Sequence, residues 1–259
     1  MYQDLKYIPN IASVVITCHN DSRYIGECIS SLIGQTTVPL EIILCDNSTD
    51  IDAAHHIHEI AEKAAEKTYD YKLIYSRNKT GVGNANNYGI QCSRGEYLFL
   101  ANDDIKMISN NWCERMIYAL KAKPDGGVFG VVGTSTYRTQ NVGSQYDAEK
   151  YQHDIRPSPT VSGILVLIPR DVLNKVGFYD ENMPDYCWLD VDWAIRVRAF
   201  GYQPYFCKDV YVHHLRVASS IIRHAQQNQF AAKYKVAQIK TESDLIHCIP
   251  HAKEIYAQT

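Results

Sequence analysis

Between residues 12 and 101 the chain alternates short apolar runs with stretches whose apolar residues recur every three or four positions. Residues 12–17 (ASVVIT) form a nearly continuous apolar run, the pattern of a strand covered on both faces of a parallel sheet. Ile25, Cys28, Ile29 and Leu32 follow at i, i+3, i+4 and i+7, which predicts a helix capped by Asp21 or Ser22. A second strand is expected at 41–45 (EIILC), ending at Asp46. A helix from about Ile51 to Lys67 comes next, with Ile57, Ile60, Ala61 and Ala64 inward. A strand at 72–76, a Gly/Asn-rich turn, a short helix and a strand at 96–101 complete a β-α-β-α-β order. Such alternation implies parallel strands with right-handed crossovers.

Beyond residue 105 the pattern loosens. A helix is expected from near Ser109 to Ala122 and a strand at 127–133, before a polar, Tyr-rich stretch at 134–160 with no period. Irregular stretches of that length are commonly functional loops. A strand at 161–168, a short helix at 171–176 and a helix from about Asp190 to Phe200, ended by Gly201, follow. Residues 203–213 read as two short strands and 219–247 as a helical tail.

Composition narrows the class. Of 259 residues, 46% are hydrophobic and 21% charged, which excludes a disordered tail or a coiled coil. Lys plus Arg number 26 against 29 Asp plus Glu, a net charge of −3 that argues against a nucleic-acid partner. No run approaches the roughly 18 apolar residues of a membrane span. The opening MYQDLKYIPN lacks the regions of a signal peptide. Eight cysteines without a CxxC pair read as reduced, mostly buried thiols of a cytoplasmic protein. His55, His56 and His58 read as a solvated helix face rather than a metal set.

Open sheets of this kind bind ligands beyond the carboxyl ends of their strands. Thr17, His19 and Asn20, then Asp46 and Asn47, then Asn102, Asp103 and Asp104 fall at those ends. Asn and Asp also make ordinary turns, but three strand ends of one character favour a ligand site. The two adjacent carboxylates are costly together unless a cation neutralises them, and their oxygens suit Mg²⁺ or Mn²⁺ shared with phosphates. Taken alone, the triplet reads more simply as a solvated turn. Residues 78–89 (NKTGVGNANNYG) would let backbone approach a ligand and offer amide donors. They contain no GK[ST] and lack the third glycine of GxGxxG. In DYCWLDVDWAIRVR, Asp190 lies at a helix N-terminus, as a cap or as a general base. Asp192 and Arg196 are spaced to pair on that helix's surface. His213 and His214 end an alternating run, so one ring falls on each face. The ring that faces inward is either a hydrogen-bonded core histidine or a neutral imidazole joining Asp104 around a metal.

Taken in order, these segments resemble the glycosyltransferase family 2 pattern on a GT-A fold. The resemblance covers residues 12 to about 220. It implies an α/β fold with a Rossmann-like nucleotide-binding half, a mostly parallel central sheet flanked by helices, a mixed acceptor-side half and a helical tail. The corresponding boundaries are 1–105, 106–218 and 219–259. SVVITCHN resembles the first nucleotide-binding strand, with Thr17, His19 and Asn20 on the donor and His19 stacking on the base. CDNSTD resembles the second, with Asp46 accepting from the base. The Gly-rich stretch implies donor contacts from Asn78, Gly81 and Asn87. LFLANDD is similar to the DxD-type motif, with Asp104 as metal ligand and Asn102 and Asp103 near the ribose and pyrophosphate. VSGILVLIPRDVLNKVGFYDE, with Gly163, is similar to the acceptor-side strand and turn. WLDVDWAIRVRAFGY, with Trp188, implies Asp190 as catalytic base, and His213 matches the histidine that holds metal or pyrophosphate. Asn102 stands where the motif has its first Asp, and Leu189 where a Glu precedes the base.

The resemblance implies a hexosyltransferase-type enzyme working with inversion and Mn²⁺ or Mg²⁺. Its donor would be a nucleoside diphosphate sugar, UDP-linked by preference, and its acceptor a hydroxyl of a glycan, a lipid-linked group or a protein. Polysaccharide biosynthesis in the cytoplasm, with peripheral rather than integral contact to a membrane, fits that chemistry. A non-catalytic nucleotide-sugar-binding subunit, degenerate at Asn102 and Leu189, is the second reading. A sugar nucleotidyltransferase would need a basic Gly-rich loop that ITCHNDSRYIGE does not supply. Tyr137, Tyr146, Tyr151 and Arg156 of the 134–160 stretch either close over a sugar or pack the loop onto the core.

Overall fold

A computed structural model describes residues 7–75, 81–136, 139–183, 188–216, 230–236 and 242–256. Nine strands share one sheet: β1 (Ile8–Cys18), β2 (Leu40–Asp46), β3 (Asp70–Tyr75), β4 (Gly95–Asn102), β5 (Ile105–Met107), β6 (Gly126–Gly133), β7 (Ile155–Pro157), β8 (Leu165–Ile168) and β9 (Gln203–His214). The order β3-β2-β1-β4 is parallel throughout, as the alternation predicts. β4 then pairs antiparallel with β8, and the remainder is mixed, running β8-β6-β9-β5 with β7 also on β9.

Among the described residues, the helices α1 (Ile25–Gly34), α2 (Ile51–Ala64), α3 (Val82–Cys92), α4 (Trp112–Ala122), α5 (Arg170–Val176) and α6 (Leu189–Ala199) flank the sheet, and α7 (Ile249–Tyr256) packs on α6. Alternation along β1 divides its side chains between two apolar layers. Ala12, Val14 and Ile16 meet Ile25, Leu32, Ile57 and Trp112 of α1, α2 and α4. Val15 meets Ala85, Leu173 and Trp193 of α3, α5 and α6 on the other face. α3 lies close on the sheet because residue 89 has no side chain. A Cβ there would come within 2.2 Å of Val15 Cγ1 and 2.8 Å of Cys45 Sγ.

Several local expectations change. Tyr24, not Asp21 or Ser22, occupies the α1 cap position, and Asp21 instead takes Arg23 and Arg216. α4 starts at Trp112, three residues later than expected, because left-handed Asn111 (φ 53°) turns the chain and Trp112 Nε1 donates to the Leu32 carbonyl. The two short strands of 203–213 are one strand, β9, with a register shift where Val131 pairs Cys207 and Val132 pairs Tyr211. His58 is not a solvated residue but a partner of buried Asp46. Asp192 and Arg196 pair as spaced, yet both are buried rather than on the surface. α6 is covered on every side: a third apolar cluster joins its Val191 and Ile195 to Phe230, Tyr234 and Ala252 of the tail. A helix buried all round has no amphipathic stripe for the sequence to display.

In the 134–160 stretch, Tyr146 stacks on Tyr151 (5.2 Å) and donates to the Lys208 carbonyl, while Arg156 pairs with Asp154. Those three residues pack the loop on β9, and Tyr137 lies outside the described residues. Much of the expected helical tail, residues 219–229 and 237–241, lies outside them as well. Among the described residues six cysteines are buried free thiols and Cys92 is exposed. No helix among them is long and apolar enough to cross a membrane.

At the end of the sheet opposite the carboxyl ends of β1, β2 and β4, Glu41 is buried and receives Ser13 Oγ (2.5 Å), Lys72 Nζ (2.7 Å) and Arg94 N and Nε (2.8 and 2.9 Å). Burial alone would raise its carboxyl; the hydrogen bonds from Arg94, Lys72 and Ser13 outweigh it and lower it to about 2. Its stabilising contribution is therefore complete above its ordinary value of 4.5 and is lost as pH falls from there toward 2. Glu41→Gln is expected to cost about 1–3 kcal/mol at pH 7, less than a fully buried pair because Lys72 and Arg94 stay partly solvated. Thermal melts from pH 7 to pH 2.5 should show a shallower acid decline for the variant, and parallel curves would refute the assignment.

Candidate functional site

A cavity of about 460 Å³ opens at the carboxyl ends of β1, β2 and β4. β1 contributes Thr17, Cys18 and His19; the turn after β2 contributes Asn47 and Thr49. The first turn of α3 contributes Gly81, Val82 and Ala85, and the end of β4 contributes Asn102, Asp103 and Asp104. His214 and Arg216, at the end of β9, close the far wall. Gly81 caps α3 at φ 108°, a conformation that suits glycine, and the helix presents its N-terminus to the cavity. Such a terminus favours anions.

The β2 turn is built from within. Asp46 is fully buried and accepts from Ser48 N–H and His58 Nε2, both at 2.8 Å. Left-handed Asn20 (φ 52°) clamps the same turn: its Oδ1 accepts from Thr49 and Asp50 N–H at 3.0 Å, and its own N–H reaches Ser48 Oγ. His19 Nδ1 donates to the Asn47 carbonyl at 2.7 Å, which fixes the imidazole against the turn.

The acidic end of β4 is the electrostatic centre. Burial, then the neighbouring Asp104 charge, push the Asp103 carboxyl up to about 7, against the pull of Arg216. Positive groups come from β9, where Ile105 pairs His214 and Leu215 N–H donates to the Asp104 carbonyl (2.8 Å). His214 Nε2 stands 3.2 Å from Asp104 Oδ1. Burial pulls this imidazole down, but the Asp104 carboxylate outweighs it and leaves it raised. Arg216 Nε lies 3.6 Å from Asp104 Oδ2, and its guanidinium donates to Asp21 at 2.7 Å.

His214, not His213, therefore meets the acidic pair. His213 pairs with Lys106 in the ladder and turns to the opposite face, edge-on to Tyr211 at 5.1 Å. The sequence alternation was right that one ring faces inward; the register decides which.

Among the described residues no group of three or more His, Cys, Asp or Glu side chains is arranged to hold a metal alone. Asp104 Oδ1 is nevertheless buried, with His214 Nε2 at 3.2 Å and no well-formed hydrogen bond from any described residue. A buried acceptor left so, beside a second carboxylate and an imidazole, fits a divalent cation that completes its coordination with phosphate oxygens and water.

Asp190 stands beside this cavity rather than in its lining. Thr17 pairs with Asn102 across β1 and β4, and Asn102 N–H donates to the Ile164 carbonyl at 3.0 Å. The preceding residue, Gly163, donates its N–H to Asp190 Oδ2 (2.9 Å), while Val191 N–H reaches Oδ1 (2.8 Å). One hydrogen-bonded row thus leads from the cavity to Asp190. Thr17, His19, Gly81, Asn102, Asp103 and Asp104 converge on the cavity. Asn20 and Asp46 shape the turn and do not line the cavity; with its side chain fully buried, Asp46 has no surface to offer a base. Asn87 faces away, bonding Tyr179 N, Tyr179 O and Glu181 to tie α3 to the segment after α5. Trp188 packs on Phe230, and Asn78 lies outside the described residues. Sequence reasoning weighed both histidines but chose His213 over His214, and it missed Arg216, although residues two apart in an extended run share a side.

The sequence profile of Glycosyl transferase family 2 matches residues 13–177, more than half of the chain and every strand that lines the cavity except β9. The chain belongs to glycosyl transferase family 2. It is 35% identical over 106 residues to the putative glycosyltransferase EpsH of Bacillus subtilis, a match spanning 40% of this chain and 29% of that protein. Among solved structures it resembles a mannosyltransferase from Pyrobaculum calidifontis in complex with GDP-Man and Mn²⁺, at TM-score 0.67 and 15% identity, covering 95% of this chain and 74% of that one. It also resembles GalNAc-T7 with UDP, GalNAc and Mn²⁺, at TM-score 0.65 and 15% identity, covering 95% and 54%. At such identities the likeness shows the GT-A fold alone. Family membership accounts for the position of the cavity at the strand ends, and the chain spans less than a third of the Bacillus relative's length.

Replacing Asp46 by Ala should orphan the Ser48 N–H and His58 Nε2 and cost about 1–3 kcal/mol. Thermal denaturation without ligand measures this, and an unchanged midpoint would contradict the buried role.

Proposed function

We propose that this chain transfers a sugar from a nucleoside diphosphate sugar to an acceptor hydroxyl, with inversion and the help of a divalent cation. The observation that carries the reading is the buried Asp104 carboxylate, beside Asp103 and 3.2 Å from His214 Nε2, lining a cavity at the ends of the parallel strands. Thr17, His19, Asn47 and Thr49 would hold the nucleoside at the β1 and β2 ends, with the imidazole of His19 as a flat surface for the base. The N-terminus of α3 and Arg216 would face the diphosphate. Asp104 and His214 would hold Mn²⁺ or Mg²⁺, which when bound neutralises charge growing on the departing diphosphate. Asp103, held near neutrality by burial and its neighbour, would take up its full charge as positive charge arrives.

Asp190 would act as the base. Each of its oxygens accepts one backbone N–H, so the plane of the carboxylate is set before an acceptor arrives. An acceptor hydroxyl would pass its proton to an Asp190 oxygen as its own oxygen attacks the sugar carbon, opposite the bond to the diphosphate. Leu189, in place of an acid, packs against the apolar layer and lies 3.4 Å from where a Gly83 Cβ would be. The position preceding the base is thus apolar, and the base works beside one carboxylate fewer. UDP is the preferred nucleotide, supported by the GalNAc-T7 likeness; the mannosyltransferase likeness makes GDP the comparison.

Asp190→Asn is expected to lower turnover by about 10²–10⁴-fold while donor affinity stays within about two-fold. Thermal shift with UDP- and GDP-sugars, with and without Mn²⁺, should show donor binding that falls in Asp104→Ala and His214→Ala and persists in His213→Ala. Full turnover in Asp190→Asn would remove the base, and equal effects of the two histidines would remove the metal assignment. A chain that binds donor yet never releases nucleotide would be the binding subunit instead.

A further inference from the structure

α6 carries more than Asp190. Two residues on, Asp192 is fully buried, and its carboxylate gathers donors from its own helix and from the tail. Oδ2 accepts from Arg196 Nε at 2.9 Å. Oδ1 accepts from the Tyr234 hydroxyl at 2.7 Å and from Lys233 Nζ, both within residues 230–236. Lys233 Nζ also donates to Asp180 Oδ2 (2.9 Å), and Tyr256 Oη of α7 donates to the same oxygen (3.3 Å). Arg196 closes the cluster by donating to the carbonyls of Val176 and Phe178 at 3.3 and 2.7 Å. Its guanidinium lies over the Tyr256 ring at 4.7 Å.

Attaching the tail does not require such a cluster. A buried ion pair is a weak source of stability, because desolvation offsets the attraction, and the Val191–Phe230–Ala252 layer already supplies apolar contact. Directed hydrogen bonds supply what apolar contact cannot, a fixed rotation and height of the helix. Asp190 lies in the first turn of that helix. Trp188, just before it, is held left-handed (φ 38°) against Phe230 at 5.2 Å, and its carbonyl accepts the Asp192 N–H at 2.8 Å. Turning α6 about its axis would swing the Asp190 oxygens off the Gly163 N–H. A 1 Å misplacement of a reacting group can cost on the order of 10²-fold in rate.

We propose that Lys233 and Tyr234 are positioning residues for Asp190, acting through the buried Asp192 carboxylate to set the orientation of α6. The proposal rests on Asp190 being the proton acceptor, and it makes the segment after the sheet part of the catalytic apparatus. The test uses the full chain and measures nucleotide release from UDP-glucose, UDP-GlcNAc and GDP-mannose with Mn²⁺. Tyr234→Phe removes one hydroxyl and keeps the ring, so it should fold; kcat should fall about ten-fold with KM for the donor within about two-fold. Lys233→Met should fall at least as far and Lys233→Arg should recover most of the loss. In an Asp190→Asn background, Tyr234→Phe should lower the residual rate no further, since a misplaced base matters only while there is a base. Unchanged kcat in Tyr234→Phe, or kcat and KM moving together, would overturn the proposal, as would a further ten-fold loss in the double variant. If Lys233→Met does not fold, Tyr234→Phe and the double variant decide. Full turnover in Asp190→Asn would instead overturn the base itself, an outcome separable from an inactive Asp190→Asn alongside a fully active Tyr234→Phe.

Discussion

Two neighbouring carboxylates at the buried end of a strand are the constraint on which the rest of the molecule turns. Asp103 and Asp104 follow five apolar residues of β4, 97–101, and Asn102, and have little water to share their charge. One of them holds its proton far above the ordinary range, and the other draws an imidazole and a guanidinium toward it. Both cationic groups lie at the end of β9 and just after it, outside the parallel half. They come from the opposite edge of the sheet, because three-residue β5 turns back and pairs with β9. The mixed half is thus less an appendage than the source of positive charge for the parallel half.

Much of this was readable from residues alone. The strands and helices up to residue 102 obey simple periods, since each has one environment per face: apolar strands between two helical layers and helices with one covered side. Reading failed where a third partner intervened. α6 shows no stripe because the tail covers the side that should have been solvated, and so Asp192 and Arg196 looked like a surface pair. Asp46 and Asn87 looked like ligand contacts because both are polar and sit near a strand tip or a Gly-rich turn. Sequence cannot tell a side chain that faces a cavity from one that supports its wall. His213 and His214 are adjacent, and only the pairing of residue 105 with residue 214 separates them.

Family membership and local chemistry point the same way but through different parts of the chain. The matched region ends at residue 177, whereas Asp190, His214 and Arg216 lie beyond it. The stretch most recognisable as a family therefore makes the β1, β2 and β4 side of the cavity, and the less recognisable stretch brings Asp190 and the counter-charges. Asp180 and Glu181 lie just past that limit and hold both, one through Lys233 and the other through Asn87.

The row Thr17–Asn102–Ile164 runs from β1 across β4 to the residue that leads into β8, and neighbouring strands in a ladder lie about 4.8 Å apart. From the carboxyl end of β1 to the peptide that grips Asp190, the backbone therefore marks off two such steps, roughly 10 Å. Loops can swing and side chains can change rotamer, but this interval cannot lengthen without parting inter-strand bonds. The sheet serves the molecule as a measuring stick, and the reach demanded of any substrate is written into its weave rather than into the loops above it.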